Sequence, residues 1–289
     1  MSSTQMFKAQ LKQSFCFIIL QFMAFVVFAE IEKSFAGEKV YSFAVIPQFH
    51  RQRLQEIWLP IIQQLEQASG YSFRFTTARN IPEFEKKYFA GEYDVAYVNP
   101  YLAVANNMHQ TYIPILKDVA RELQGIIVVP ISSPIQTVAQ LKNQRIAFPA
   151  PNALGASLLI RSDLKNSFKI NVEPVYVQSH SSVYLNVIVG TVAAGGGVQK
   201  TLSQQSQAIR QNLRILYSTR TVASHPIMIH KRLSHVQQQI IKNSLIEISK
   251  YPNGKNLFLQ IPVNKLGDAN IEDYLPLLEL GLEDLRETK

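Results

Sequence analysis

The stretch from Ile146 to Ile160 reads IAFPAPNALGASLLI: a buried strand, a proline-broken turn and the opening of a helix. From Ala153 through Leu154 and Gly155 to Ala156 the residues are small or apolar where the helix begins. Their backbone N–H groups therefore lack intrahelical partners and can receive an anion. The same pattern also serves an ordinary strand-to-helix connection. A second corner, Gln178-Ser179-His180-Ser181-Ser182, follows a strand and precedes a helix. Ser181 or Ser182 is a natural N-cap, which would leave His180 just outside a helix N-terminus, again an anion-receptive position. The two corners are expected to face one cleft. Three further loops could join them: Pro47-Gln48-Phe49-His50, Thr77 to Asn80, and Asn99-Pro100-Tyr101 with Tyr97 and Tyr101 at its flanks. Tyrosines near a strand end more often pack half-buried than face a ligand.

Other chemistries are poorly served. Ser179 and His180 are adjacent, so their side chains diverge, and no third residue is evident to orient the base. None of the six histidines stands at HxH or HExxH spacing, so no metal site is expected. His50, His109 and His235 read as surface residues, and His225 before Pro226 as a turn in a hinge region. Gly195-Gly196-Gly197 lacks the Lys-Ser/Thr of a phosphate loop and the spaced glycines of a dinucleotide fingerprint. It marks a place where backbone passes close to something. The sequence calls for no cofactor and no enzymatic reaction.

The elements that must position these loops alternate. A strand at Val40 to Ile46 is followed by a helix whose apolar face is Leu54, Ile57, Ile61, Ile62, Leu65 and Ala68, stopped by Gly70. Tyr71 to Thr76 is a strand, and Asn80 with Glu83 has the spacing of a capping box for a helix that Gly91 ends. Tyr93 to Val98 is a strand. This alternation is the mark of parallel α/β construction, in which functional loops lie at the carboxyl ends of strands. After strands at Ile113 to Leu116 and Gly125 to Val129 the pattern restarts past Pro130. It gives a strand at Arg145 to Phe148, a helix from about 154 to 164, a strand at Val172 to Val177, a helix from Val183 to Val189, and a polar helix near 201 to 211. Strands follow at Leu213 to Ser218 and Ile227 to Ile229. The remainder is expected to be helical, including Ile271 to Leu285.

The 289 residues are 47% hydrophobic and 17% charged, a globular composition with room for about two domains. Lys8 and Lys12 precede an apolar run from Phe15 to Phe28 broken only by Gln21. This layout predicts a cleavable secretion signal over residues 1–36, cut after Ala29 or Ala36, because the run is short for a membrane span. The single cysteine, Cys16, would leave with it, which excludes thiol catalysis, disulfides and Cys-ligated metal. The formal charge is +8, of which Lys8 and Lys12 contribute two. The basic residues are scattered, with only Lys86-Lys87 and Lys231-Arg232 adjacent, so the excess reads as solvated surface rather than a nucleic-acid site.

Three groups of residues in this order resemble the substrate-binding proteins of bacterial phosphate, phosphite and phosphonate ABC transporters. They are Gly91-Glu92-Tyr93-Asp94-Val95-Ala96-Tyr97, Leu141-Lys142 before Arg145-Ile146-Ala147-Phe148, and Ser179-His180 before a helix ending at Gly190. The resemblance covers about residues 40 to 285. It implies an α/β fold of the periplasmic-binding-protein type: two lobes, each a mixed sheet flanked by helices, joined by two crossovers near Val129 and Arg220. Lobe 1 would be 38–128 plus 222–289 and lobe 2 would be 129–221. Where the family's phosphonate binders carry a Ser-Thr-Ser-Gly run, this chain has Ala153-Leu154-Gly155-Ala156, and Val192-Ala193-Ala194 replaces an Asp suited to a ligand amino group. Phosphonates are thus expected to bind weakly, through backbone amides without those hydroxyls, and an aminoalkyl phosphonate is disfavoured.

The function expected is a periplasmic, monomeric solute-binding protein. It would capture a small anionic, phosphate- or phosphonate-like ligand between its lobes for an ABC permease, touching the membrane only through that partner. A co-receptor for a membrane sensor kinase or cyclase is the alternative, and a cleft hydrolase a distant third. The oxyanion would meet Ser179, His180, Asn152 and the amides of Leu154 to Ala156. A charge-assisted bond from His180 would contribute about 1.5–3 kcal/mol.

Overall fold

Strand-forming residues gather in two separate sheets. The computed structural model describes residues 39–261 and 263–287, so the expected secretion signal lies outside the described residues. The first sheet has six strands in the order β11-β4-β10-β3-β1-β2. These are β1 (Val40–Val45), β2 (Ser72–Thr76), β3 (Val95–Tyr97), β4 (Tyr112–Asp118), β10 (Ile227–His230) and β11 (Leu266–Asp268). The second sheet has five strands in the order β7-β6-β8-β5-β9. They are β5 (Leu123–Pro130), β6 (Arg145–Phe148), β7 (Glu173–Tyr176), β8 (Ala194–Val198) and β9 (Leu213–Val222). Both sheets are mixed: β1 runs parallel to β3, and β6 parallel to β7 and β8, whereas β10 and β5 are antiparallel to their neighbours.

The first α-helix, α1 (Arg51–Ser69), ends as its sequence demands, with Gly70 in the left-handed region at φ 71°. It buries Leu54, Ile57, Trp58, Ile61, Ile62 and Leu65, each large side chain contributing about 1.5–3 kcal/mol. Ala68 faces solvent instead. In α2 (Ile81–Phe89) the Asn80 side chain accepts the Glu83 amide at 2.9 Å. The Gly91-to-Tyr97 segment is structural. Asp94 accepts from the Ser42 amide at 2.8 Å, the Ser42 hydroxyl at 2.9 Å and Arg232 Nε at 2.8 Å, which ties β1, the start of β3 and the turn after β10 together.

The chain passes from the first sheet to the second between Asp118 and Leu123 and returns between Val222 and Ile227. The change of sheet expected at Val129 falls instead before Leu123, because Leu123–Pro130 is one continuous strand paired along its length with β9. The expected helix at Ile271 to Leu285 is also corrected. It is three 3₁₀ turns, Ile271–Asp273, Leu275–Leu280 and Glu283–Leu285. Pro276 lacks an amide donor, and Gly281 at φ 60° interrupts the run. The polar stretch near 201 to 211 is likewise two short helices, Gln199–Ser203 and Gln207–Arg210. Among the described residues, no helix is long and apolar enough to cross a membrane.

Candidate functional site

A cavity of about 590 Å³ lies where the two sheets meet, within the range of about 300–1,000 Å³ that encloses small ligands. Its walls come from loops after β1, β3, β6, β7 and β8 and from both crossovers. Loops at the carboxyl ends of parallel strands are where such sheets bind ligands. Ile46, Phe49, Ile81, Leu123, Leu154 and Val198 give the lining an apolar character.

The residues after β6 form the wall that the sequence indicated. Ser157 N–H and Leu158 N–H both donate to the Ala153 carbonyl, at 2.8 and 3.1 Å, so the helix opens as a π turn, Leu154–Leu158. It continues as α3 (Leu159–Ser162) and a second π turn, Asp163–Ser167. The Leu154, Gly155 and Ala156 amides precede the first bonds of this run, and all three residues line the cavity.

Glycines seat this helix start on the second sheet. A Cβ on Gly196 would collide with the Ala156 carbonyl oxygen and stand 2.5 Å from the Phe148 ring. One on Gly125 would collide with the Gly155 carbonyl, and one on Gly155 would stand 2.6 Å from Val198. On the opposite face of β8, a Cβ on Gly195 would stand 2.5 Å from Val183. The Gly195-Gly196-Gly197 run is therefore strand, built for close approach from both faces.

His180 is placed differently from expectation. Ser179, not Ser181 or Ser182, is the N-cap of α4 (His180–Ile188), its hydroxyl accepting the Ser182 amide at 3.1 Å. His180 is thus the first residue of the helix. Its Nδ1 lies 3.3 Å from the Thr201 hydroxyl oxygen. Thr201 Oγ1 donates to the Val198 carbonyl at 2.9 Å and contacts the Tyr184 hydroxyl at 2.7 Å. Across the cavity, His225 Nε2 meets Gln48 Nε2 at 2.6 Å and its ring stacks on Tyr97, with centroids 5.5 Å apart.

Both imidazoles are half-buried, yet enough protein surrounds them to disfavour charge. Burial lowers His180 to about 4, and burial together with the neighbouring His180 lowers His225 to about 3. Both rings are neutral at pH 7. The charge assistance anticipated from His180 is therefore absent in this conformation.

Of the other site residues read from sequence, Gln48, Phe49 and Asn99 line the cavity. Asn99 already accepts the Leu102 amide at 3.2 Å and caps the turn Pro100–Ala103. Tyr97, Tyr101, Asn152, Ser179 and Ser181 lie off the lining. Tyr97 is buried against Trp58, with centroids 4.9 Å apart. The Tyr101 hydroxyl bonds Glu283. Asn152 donates to Glu85 at 2.8 Å and to the Glu287 carbonyl at 2.9 Å. Ser179 caps its helix, and Ser181 points to Gln205 at 3.0 Å. Each is committed to packing or to a protein partner.

Sequence reasoning missed Arg121, Lys200, Thr201 and His225, all of which line the cavity. The signal was present for two of them. Reading the glycine run as a parallel strand would have made Lys200 and Thr201 residues of a carboxyl-end loop. Among the described residues, no group of three or more His, Cys, Asp or Glu is placed to hold a metal ion.

Comparison with known proteins agrees with this geometry. Residues 43–274 match the family model for the periplasmic substrate-binding protein of phosphonate ABC transporters. The fold is shared with a binding-protein component of an ABC phosphonate transporter from Pseudomonas aeruginosa (16% identity, 84% of this chain and 85% of that one, TM-score 0.71). It is shared too with PhnD1 from Prochlorococcus marinus solved with methylphosphonate (16% identity, 86% and 98%, TM-score 0.75). A Xanthomonas citri protein solved with ATP is similar as well (14% identity, 86% and 99%, TM-score 0.70). No curated protein matches the chain. The architecture is the two-lobed α/β periplasmic-binding fold.

Proposed function

The chain belongs to the family of periplasmic substrate-binding proteins of phosphonate ABC transporters, and from that premise we propose that it captures a small organic oxyanion in the cavity between its sheets and presents it to the permease. Its family is a binding component of a transport system, with a small-molecule ligand and a membrane permease as partners. The chain works as a non-enzymatic monomer, secreted by an N-terminal leader cleaved after Ala29 or Ala36.

One observation carries the ligand reading: a single cavity draws its walls from both sheets and both crossovers. The lobes, 41–118 with 227–287 and 123–222, hinge about residues 119–122 and 223–226. A ligand that touches both lobes favours the closed arrangement by its differential affinity for it. Backbone amides of Leu154 to Ala156 receive an oxyanion oxygen, His180 contributes as a neutral ring, and the apolar wall takes the organic substituent. Because Ala153 and Leu154 bring no hydroxyl to this corner, binding rests on amides and shape.

Native mass spectrometry of the small molecule that co-purifies, with a thermal-shift panel of phosphate, phosphite, methylphosphonate, ethylphosphonate and neutral sugars, tests this. An oxyanion should raise the melting temperature in a concentration-dependent way. Stabilisation by the neutral solutes alone would sink it.

A further inference from the structure

Backbone amides can hold an oxyanion without a formal charge, but a cation in the cavity would add a charge-assisted bond, and the neutral histidines do not offer one. In the His180 tautomer that accompanies Thr201 giving its hydroxyl hydrogen to the Val198 carbonyl at 2.9 Å and accepting from Tyr184, the Thr201 oxygen also accepts from His180 Nδ1–H at 3.3 Å. His180 Nε2 is left as an acceptor, unable to donate to a fully deprotonated oxyanion. Gln48 Nε2–H, 2.6 Å from His225 Nε2, likewise uses that nitrogen as an acceptor.

Among the described residues, two that line the cavity carry an amine or guanidine, Arg121 and Lys200. Arg121 lies in the first crossover, and Lys200 lies in the first turn after β8. Neither makes an ion pair or a side-chain hydrogen bond among the described residues. They stand close enough to repel: burial first, and then Arg121, holds Lys200 below its usual range.

The nearby carboxylates do not neutralise them. Among the described residues Glu122 is the one acidic residue of the lining; it is exposed, as Arg121 is, and pairs with neither cation, whereas Lys200 is half-buried. Asp118, which favours the charged form of Lys200, spends its oxygens on the amides of Ala120, Asn264 and Lys265. Two cations that line one cavity and make no ion pair among the described residues gain charge-assisted bonds when an anion enters beside them.

We propose that Arg121 and Lys200 receive the ligand's charged acid group, and that His180 accepts a hydrogen bond from a hydroxyl on the same ligand, so that the solute is an organic acid bearing a hydroxyl or a singly protonated oxyanion. This rests on the reading of the cavity as a solute site. Because one cation sits on a crossover and the other on the second lobe, the same pair couples ligand charge to the approach of the lobes.

Calorimetric titration of the mature chain and of Arg121→Ala, Lys200→Ala and Lys200→Arg with phosphate, methylphosphonate and hydroxymethylphosphonate tests the assignment. The wild type should bind at least one probe, favouring the hydroxyl-bearing one, with affinity that falls as salt rises. Each alanine variant should lose about tenfold or more, the worth of a charge-assisted bond, and Lys200→Arg should keep most of the affinity. Unliganded melting curves close to wild type would confirm that the variants fold. If the wild type binds an anion and both alanine variants stay within about twofold of it, the role of the cation pair is overturned while the solute-binding reading stands. If no anion binds, both fall.

Discussion

At the scale of single residues, the two cavity histidines govern behaviour because the fold keeps them uncharged. A neutral hydrogen bond contributes about 0.5–1.5 kcal/mol, so His180→Ala should weaken methylphosphonate binding by roughly that amount, less than a charged contact would lose. Calorimetry that finds a loss above about 3 kcal/mol would point to an imidazolium in the complex. The same depression sets a pH dependence for the free protein. Both rings bind protons more weakly in the folded state than the ordinary value of 6.5, His180 at about 4 and His225 at about 3. On acidification the unfolded chain is protonated first. Their contribution is therefore intact above pH 6.5 and is lost as pH falls, down to about 4 for His180 and about 3 for His225, at about 1.4 kcal/mol per pH unit per ring. Denaturant unfolding across that window should show the slope, and His180→Gln with His225→Gln should flatten it.

At the scale of elements, the decisive contact is β8 against the helix that begins at Leu154. Three successive glycines remove the side chains from the middle of this strand, and the Ala156 carbonyl of the π turn approaches where a Cβ on Gly196 would stand. Gly196→Ala is expected to destabilise the fold by about 1–3 kcal/mol, as overpacking does, and to displace the amides of Leu154 to Ala156. Urea unfolding reads the first effect, and reduced methylphosphonate affinity reads the second. An alanine variant with wild-type stability would mean that the helix start can shift without penalty. The N-cap at Ser179 acts on a neighbouring element in the same spirit, since it sets His180 inside the helix and within reach of Thr201.

At the scale of the whole molecule, the C-terminal segment forms a third tie between the lobes beyond the two crossovers. Leu280 and Leu285 carbonyls accept from Ser162 and Arg161, each at 2.8 Å, and the Glu287 amide donates to Asn152 at 3.0 Å. Toward the first sheet, Glu283 accepts from Tyr101, while Arg286 lies 3.5 Å from Glu85 and over the Phe89 and Tyr101 rings. Burial raises Glu85 above the usual carboxylate range, and Arg286 opposes the shift. Removing Arg286 would leave a buried carboxylate without its cation, at a cost of about 3–5 kcal/mol. Arg286→Met should therefore destabilise strongly at neutral pH and less under mildly acidic conditions, where Glu85 takes up a proton. Adding Glu85→Gln should restore much of the loss in chemical denaturation. Equal destabilisation at both pH values would show that packing alone is at stake.

The sequence by itself determined the alternation of elements, the stop at Gly70, the cap at Asn80 and the helix start at Leu154, because each depends on periodicity or on backbone groups a few residues apart. It also carried the two-lobed fold through its resemblance. Tertiary structure alone decided who lines the cavity. Tyr97, Tyr101 and Asn152 sit beside the right loops, but their partners, Trp58, Glu283 and Glu287, come from distant positions that no local pattern reveals. Arg121, Lys200 and His225 reach the cavity only because both crossovers and β8 converge on it. Whether a histidine is charged depends on how much protein surrounds the ring, a property of the folded volume that spacing along the chain does not contain.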